Sequence, residues 1–380
     1  MDKRAVQERT GAGNPVRMAS PSGKPSGMEI VHIGLNVLLI LFVLALLGCG
    51  NRYYGGPITD HFNGTKFSNP WAPMPQRFGD FLKWRLTGKR GYWPESVPVT
   101  PTKPPARITE ETLRVTYVGH ATILLQTHGL NILTDPIWAG RASPISFAGP
   151  KRVAAPGVRF EDLPPIDVVL VSHNHYDHLN LATLERLYET FNPLVLTPVG
   201  NDTIIQTAIP KMRVVALDWG QGYSLNPKVR FVLEPMQHWS ARGLFDRNEA
   251  LWGAFVIVAP GGAIYFLADA GYAQNLSRDF VAKYGTPRFS LLPVAAYEPQ
   301  WFMQYAHMSP AQAVDTFIDL GQSCAMGTQH EVFPMADESY ESPRKALTEA
   351  LTAKGISDRR FLLPAVGEWF TVPPLPAPPF

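Results

Sequence analysis

Three histidines and an aspartate occupy four of the six positions His173-Asn174-His175-Tyr176-Asp177-His178, in a chain of 380 residues with ten histidines in all. Imidazole and carboxylate are the usual side-chain ligands of divalent transition ions, so the cluster points to a metal site. It follows the aliphatic run "PPIDVVLV", read as a strand buried on both faces, and precedes "LNLATLERLYETF", which has helical spacing. In an extended segment residues i and i+2 point the same way, so His173 and His175 grip one ion from one side. Asp177 and His178 fall where the chain bends into the helix and aim at a second point close by. A zinc ion takes about four donors, so one loop cannot close two such sites.

The missing donors lie far along the chain, each just after a strand: His238 in "FVLEPMQHWS", Asp269 in "YFLADAGY" and His330 in "CAMGTQHEVF". Loops that end several strands of one sheet edge converge on a rigid scaffold. The count fits two divalent ions. His173, His175 and His238 would hold one, Asp177, His178 and His330 the other, with Asp269 bridging. Any one of these residues alone would read as a hydrogen-bonded structural histidine or a capping aspartate; the combination makes the metal reading. Zinc suits the donors best, although iron and manganese accept the same set. Two such ions about 3.5–4 Å apart share a water and lower its pKa, which makes a hydrolase and gives Asp177 and Asp269 a catalytic part. His120, in a turn, and Asp135, between a strand and Pro136, read as support, Asp135 as a carboxylate that orients a ligand imidazole.

The elements that must position these residues are legible as well. "LRVTYVGHATILLQTHGLNILTDPIW" predicts strands over Leu113–Val118, Thr122–Gln126 and Leu130–Thr134 in successive antiparallel hairpins. Later strands fall at "LVLTP", "MRVVAL", "VRFVLEPM", "WGAFVIV", "AIYFLAD" and "RFSLLPV". Ser309 with Gln312 predicts a capping box for "PAQAVDTFIDLG", and "SPRKALTEALTAKG" repeats the device. Strands, then strand-helix alternation, then strands with helices predict an α+β chain: two mixed sheets packed face to face with helices outside. "SCAMG" reads as a buried strand that leaves Cys324 an inert thiol.

Longer motifs narrow the family. "HxHxDH" with the spaced His, Asp and His resembles the metallo-β-lactamase superfamily, whose fold is an αββα sandwich with metals at one sheet edge. "GHATILLQ", "LTDPIWAGRASPISFAGPKR", "LPPIDVVLVSHNHYDHL", "QHWSARG", "FLADAGY" and "AYEPQWFMQYAHMSPAQAV" together are similar to the N-acyl-phosphatidylethanolamine-hydrolysing phospholipase D family. That resemblance covers most of residues 113 to 345. It implies a phosphodiesterase that releases N-acylethanolamine and phosphatidic acid, with a lactone, acyl ester or cyclic phosphodiester as the alternative bond. It places catalytic His307 beside the site, although from the residues alone His307 is equally a helix-entry residue before the Ser309 cap. It also implies a lipid groove at "YEPQWFMQY", with Tyr297 and Trp301 against substrate, residue types that are as commonly core. One departure concerns the last ligand. The family carries it in a His-Trp-Gly-Thr-Phe stretch, whereas "GTQHEVF" shifts the histidine relative to Phe333.

The amino terminus sets the expected location. "IGLNVLLILFVLALL", Ile33 to Leu47, is shorter than the roughly 20 residues of a membrane span. Basic residues precede it and "LLGC" closes it, so residues 1–48 read as a signal peptide that resembles the leaders of bacterial lipoproteins, with Cys49 the lipidation site. A start at Met18 or Met28, or an uncleaved anchor helix, is the alternative. Either way the protein is expected at a membrane of a bacterial envelope. Residues 49–110 form a Pro- and aromatic-rich arm in which Trp71, Trp84 and Trp93 dock on the body and His61 reads as a surface residue. Residues 111–380 form the hydrolase domain. A formal charge of +2 gives no reason to expect nucleic acid. Phospholipid is the expected partner, and a homodimer is one admissible assembly.

Overall fold

Strand residues that alternate between two apolar environments define the layers. In β2 (Thr122–Thr127), Ile123 and Leu125 join the core between the sheets, while Leu124 joins a separate layer beneath helices. β4 (Val168–Leu170) repeats the pattern, with Val168 and Leu170 inward and Val169 outward. β5 (Leu194–Pro198) does so again with Leu194, Leu196 and Val195. This is the computed structural model of the chain, and it describes residues 53–76, 78–109 and 111–376. The leader, its alternatives and Cys49 lie outside the described residues.

One sheet contains β1 (Leu113–Gly119), β2, β3 (Leu130–Thr134), β4, β5, β6 (Arg213–Leu217) and β14 (Trp369–Val372), in the order β14-β1-β2-β3-β4-β5-β6. The other contains β7 (Gly222–Ser224), β8 (Arg230–Glu234), β9 (Ala254–Val258), β10 (Ile264–Phe266), β11 (Phe289–Pro293), β12 (Ala325–Thr328) and β13 (Phe361–Leu362), in the order β13-β12-β11-β10-β9-β8-β7. Pairing is antiparallel from β14 to β3 and parallel from β3 to β6 in the first sheet, and antiparallel from β7 to β10 and parallel from β10 to β13 in the second. Phe231, Phe255 and Phe266 of the second sheet share one core with Val115, Tyr117 and Ile132 of the first. The two sheets therefore pack face to face, as the sequence predicts.

Helices cover the outside. α2 (Leu181–Phe191) and α3 (Asn201–Ala208) lay Leu184, Leu187 and Ile205 on the outer face of the first sheet. α4 (Gln274–Tyr284), the short α5 (Gln300–Met303), α6 (Pro310–Asp319) and α7 (Ser342–Ala353) belong to the second half of the chain. The Ser309–Gln312 capping box opens α6 as expected. The second predicted box does not form: Glu341 is the N-cap of α7 without a side-chain bond, and the Ser342 hydroxyl lies 2.6 Å from that of Ser339 instead. Among the described residues no helix is long and apolar enough to cross a membrane.

The arm packs as part of this body. α1 (Phe78–Thr87) carries Trp84, whose ring stacks 5.1 Å from that of Phe302. Trp93 donates to the Glu338 carbonyl at 2.8 Å, and Trp71 lies 5.5 Å from Trp219. Phe62 and Phe67 enter the main core. The expectation for His61 is corrected: it is only 8% exposed, its two ring nitrogens 2.6 Å from Asp60 and 2.8 Å from Asp218.

Candidate metal centre

β4 ends at Leu170, and the next residues carry the cluster out of the sheet into α2 through a tight turn, His178 N donating to the His175 carbonyl at 3.1 Å. Ligands at the carboxyl ends of strands are a general property of open sheets with parallel strands. His238 follows β8, and Asp269 follows β10. His173, His175, His238 and Asp269 come together with their ligand atoms within 4.8 Å of one another, and a second group, His120, Asp177 and His178, does the same.

Hydrogen bonds on the far side of each ring determine which nitrogen faces inward. The Ser172 hydroxyl donates to Asp135 at 2.6 Å and so accepts from His173 Nδ1 at 2.9 Å. His238 Nδ1 donates to the Ala306 carbonyl at 3.0 Å. Both Nε2 atoms are then lone pairs, and they lie 2.9 and 3.2 Å from His175 Nδ1, which has at most one proton to share between them. Nitrogens crowded at these distances match the edges of a tetrahedron with metal bonds of about 2.0–2.1 Å. Trp239 closes the side, its ring 4.4 Å from that of His175.

His178 links the two groups. Its Nδ1 donates to Asp135 at 2.7 Å, so Asp135, which follows β3, orients this imidazole. Its Nε2 lies 3.1 Å from Asp177 Oδ2 and 3.2 Å from Asp269 Oδ1 yet forms a hydrogen bond with neither. Asp269 turns its other oxygen, Oδ2, to the first group, 4.0 Å from His173 Nε2 and 3.8 Å from His238 Nε2. The same oxygen lies 3.8 Å from His307 Nδ1, a buried nitrogen with no hydrogen-bond partner.

Charge completes the test of fit. Burial keeps His173 and His238 well below the ordinary imidazole value, and it takes His175 down to about 4. Burial opposes ionisation of Asp177 and Asp269, but His178, together with His120 at Asp177 and with His307 and His238 at Asp269, outweighs it and holds both carboxyls below their usual range. Burial also opposes a proton on His178, and Asp269, Asp177 and Asp135 together overcome it. Burial raises Asp135, with His178 and Ser172 offsetting part of the effect. A buried pocket with ionised carboxylates and converging neutral imidazoles is what divalent cations neutralise. The residues fit a metal centre.

Residues 130–328 match the beta-lactamase superfamily domain. Over 329 residues the chain is 32% identical to N-acyl-phosphatidylethanolamine-hydrolyzing phospholipase D 1 of Caenorhabditis elegans, covering 80% of this chain and 92% of that protein. This chain belongs to that family of the metallo-β-lactamase superfamily. It is a metal-dependent hydrolase with the α+β sandwich of the superfamily. The mitochondrial enzyme of the same name from Saccharomyces cerevisiae is 30% identical over 249 residues, 64% of this chain and 53% of that one. Isothiocyanate hydrolase from Delia radicum gut bacteria has the same fold, with a TM-score of 0.56 at 20% identity, over 68% of this chain and 99% of that one.

Against the family pattern, one expected ligand is elsewhere. His330 is fully buried, but its ring stacks on Tyr117 at 4.9 Å and its Nδ1 turns to Glu331 Oε2 at 3.4 Å. It belongs to neither donor group. Gln329 stands four residues before Phe333, the spacing of histidine in the family's stretch, and its amide nitrogen is buried without a partner. Gln329 and Glu331 both have positive φ, 72° and 61°, so the backbone reverses on each side of His330 and takes its ring from the site. His120, expected to play a supporting part, instead lies against the second group, Nε2 2.8 Å from Asp177 Oδ2. Tyr297 is buried and Trp301 is 43% exposed, its ring under Lys83 at 4.8 Å. Sequence reasoning missed Ser172, which ties Asp135 to His173, and no spacing signal announces it.

Proposed function

We propose that this hydrolase cleaves the phosphodiester of N-acyl-phosphatidylethanolamine-type phospholipids, releasing N-acylethanolamine and phosphatidic acid. The observation that carries the proposal is two donor groups joined through Asp269, in a chain whose nematode relative is named for that hydrolysis. His173, His175, His238 and Asp269 would hold one ion, and Asp177 and His178 would share Asp269 in holding another. Zinc suits these donors; when bound, two such ions supply hydroxide near neutral pH and neutralise the charge of a phosphodiester.

The chain's own groups prepare that chemistry. Asp135 and Ser172 fix His178 and His173, so no reorientation is needed when substrate arrives. Burial keeps His307 neutral against the weaker pull of Asp269 and Asp177, leaving its unpartnered Nδ1 free to take or give a proton at the headgroup or leaving oxygen. Tyr297 and Trp301 would contact acyl or headgroup atoms. Cys49 would carry the lipid that tethers the protein to a bacterial envelope membrane, where substrate is concentrated.

Incubation of the purified full chain with a mixed lipid extract, followed by mass spectrometry, tests the assignment. N-acylethanolamine appears with wild type and vanishes in Asp177→Asn. Hydrolysis of lactones or carboxylic esters with phospholipids left intact would sink the proposal. For the tether, Cys49→Ser should release the protein from membranes.

A further inference from the structure

The second donor group is one imidazole short of what the sequence promises, because His330 turns to Tyr117 and Glu331. Within the described residues, His120 is the histidine that takes the place beside Asp177 and His178. We infer that His120 is a direct ligand of the second ion, replacing the histidine that the family carries where this chain has Gln329. The inference rests on the metal-dependent reading of the site and deepens it.

Several observations meet on this residue. It sits at the turn between β1 and β2, only 1% exposed, with φ at 61°, a left-handed conformation that non-glycine residues rarely adopt without compensation. That conformation is locked from the very loop that lost the histidine, since Gln329 N donates to the His120 carbonyl at 3.0 Å. The ring packs edge-on to Phe333 at 5.3 Å and lies 5.4 Å from the His178 ring. With His120 the second group offers Asp177, His178, Asp269 Oδ1 and an imidazole nitrogen, four donors to match the four of the first group. The simpler account is that His120 only donates a hydrogen bond to Asp177, in which case its removal leaves the ion in place.

Metal content separates the two. The full chain, purified in detergent and equilibrated with zinc, should retain two ions after desalting, measured by inductively coupled plasma mass spectrometry. His120→Gly suits the left-handed backbone and should retain one. His120→Gln, which keeps more of the side-chain volume, should likewise retain one, whereas loss of a mere hydrogen-bond partner of Asp177 would leave two. His330→Gln should retain two. Unfolding temperatures in chelator, equal for wild type and both His120 variants, show that the fold survives. Retention of two ions by the His120 variants, loss of one in His330→Gln, or a single ion in wild type would overturn the inference. Since the readout uses no lipid, an error in the proposed substrate would leave it unaffected.

Discussion

His61 and the candidate metal ligands His173, His178 and His238 are all buried, yet they are buried in opposite ways. His61 has a carboxylate on each ring nitrogen, at 2.6 and 2.8 Å, and stacks 4.4 Å from Trp219. Burial lowers its pKa, but the hydrogen bonds to Asp218 and Asp60 outweigh burial and raise it. His173, His175 and His238 face one another, and burial leaves them neutral, with at most one proton on His175 Nδ1 to share between two lone pairs. A saturated imidazole is a joint; an imidazole with its lone pair turned towards others is a ligand. The number of donors that converge decides the role, and burial does not.

The largest effect that would break this contrast lies at Asp269. Asp269→Asn should lower kcat/KM by about 10³-fold or more, since it weakens both donor groups at once. A loss under tenfold would mean the two groups do not act together. Asp135→Asn comes next: it touches neither proposed ion, but it releases His178 from its orientation and should cost about 10–100-fold in metal affinity or activity. Zinc titration followed by turnover measures both.

His61→Ala should leave turnover of folded protein unchanged and cost stability of about 1–2 kcal/mol. The sign of its pH dependence follows from the raised pKa. Stability from protonated His61 is complete below the ordinary value of 6.5 and is lost as pH rises through the higher folded value. Asp218, which burial would raise but the His61 hydrogen bond lowers, loses its share instead as pH falls through its reduced value. The gap in melting temperature between wild type and His61→Ala should therefore be wider at pH 6 than at pH 9; an equal gap at both would break the contrast. A last test, away from both kinds of histidine, concerns Cys324, whose thiol burial pushes up to about 11, Arg360 opposing. In a Cys49→Ser chain at pH 8, a thiol reagent should label native Cys324 about 100-fold more slowly than the unfolded chain.

Much of this was legible in the sequence because the information was local. The alternation in β2 and β5, the spacing of "HNHYDH" and the strand-terminal positions of His238 and Asp269 each lie within a few residues. His330 failed for a geometric reason. Its identity is right for a ligand, but positive φ at the residues on each side reverses the backbone, and residue type does not reveal that. His61 failed because its partner Asp218 is 157 positions away. α4 escaped notice because only Ser277 and Phe280 of its eleven residues are buried, too thin an apolar stripe to stand out.

The two donor groups do not belong to one half of the molecule. His173, His175, Asp177 and His178 leave the sheet of β4, whereas His238 and Asp269 leave the sheet of β8 and β10. Any cation held here is thus a rivet through the seam of the sandwich. A cation held by either group through Asp269 would bind the closed sandwich more tightly than the parted halves, and so would resist their parting.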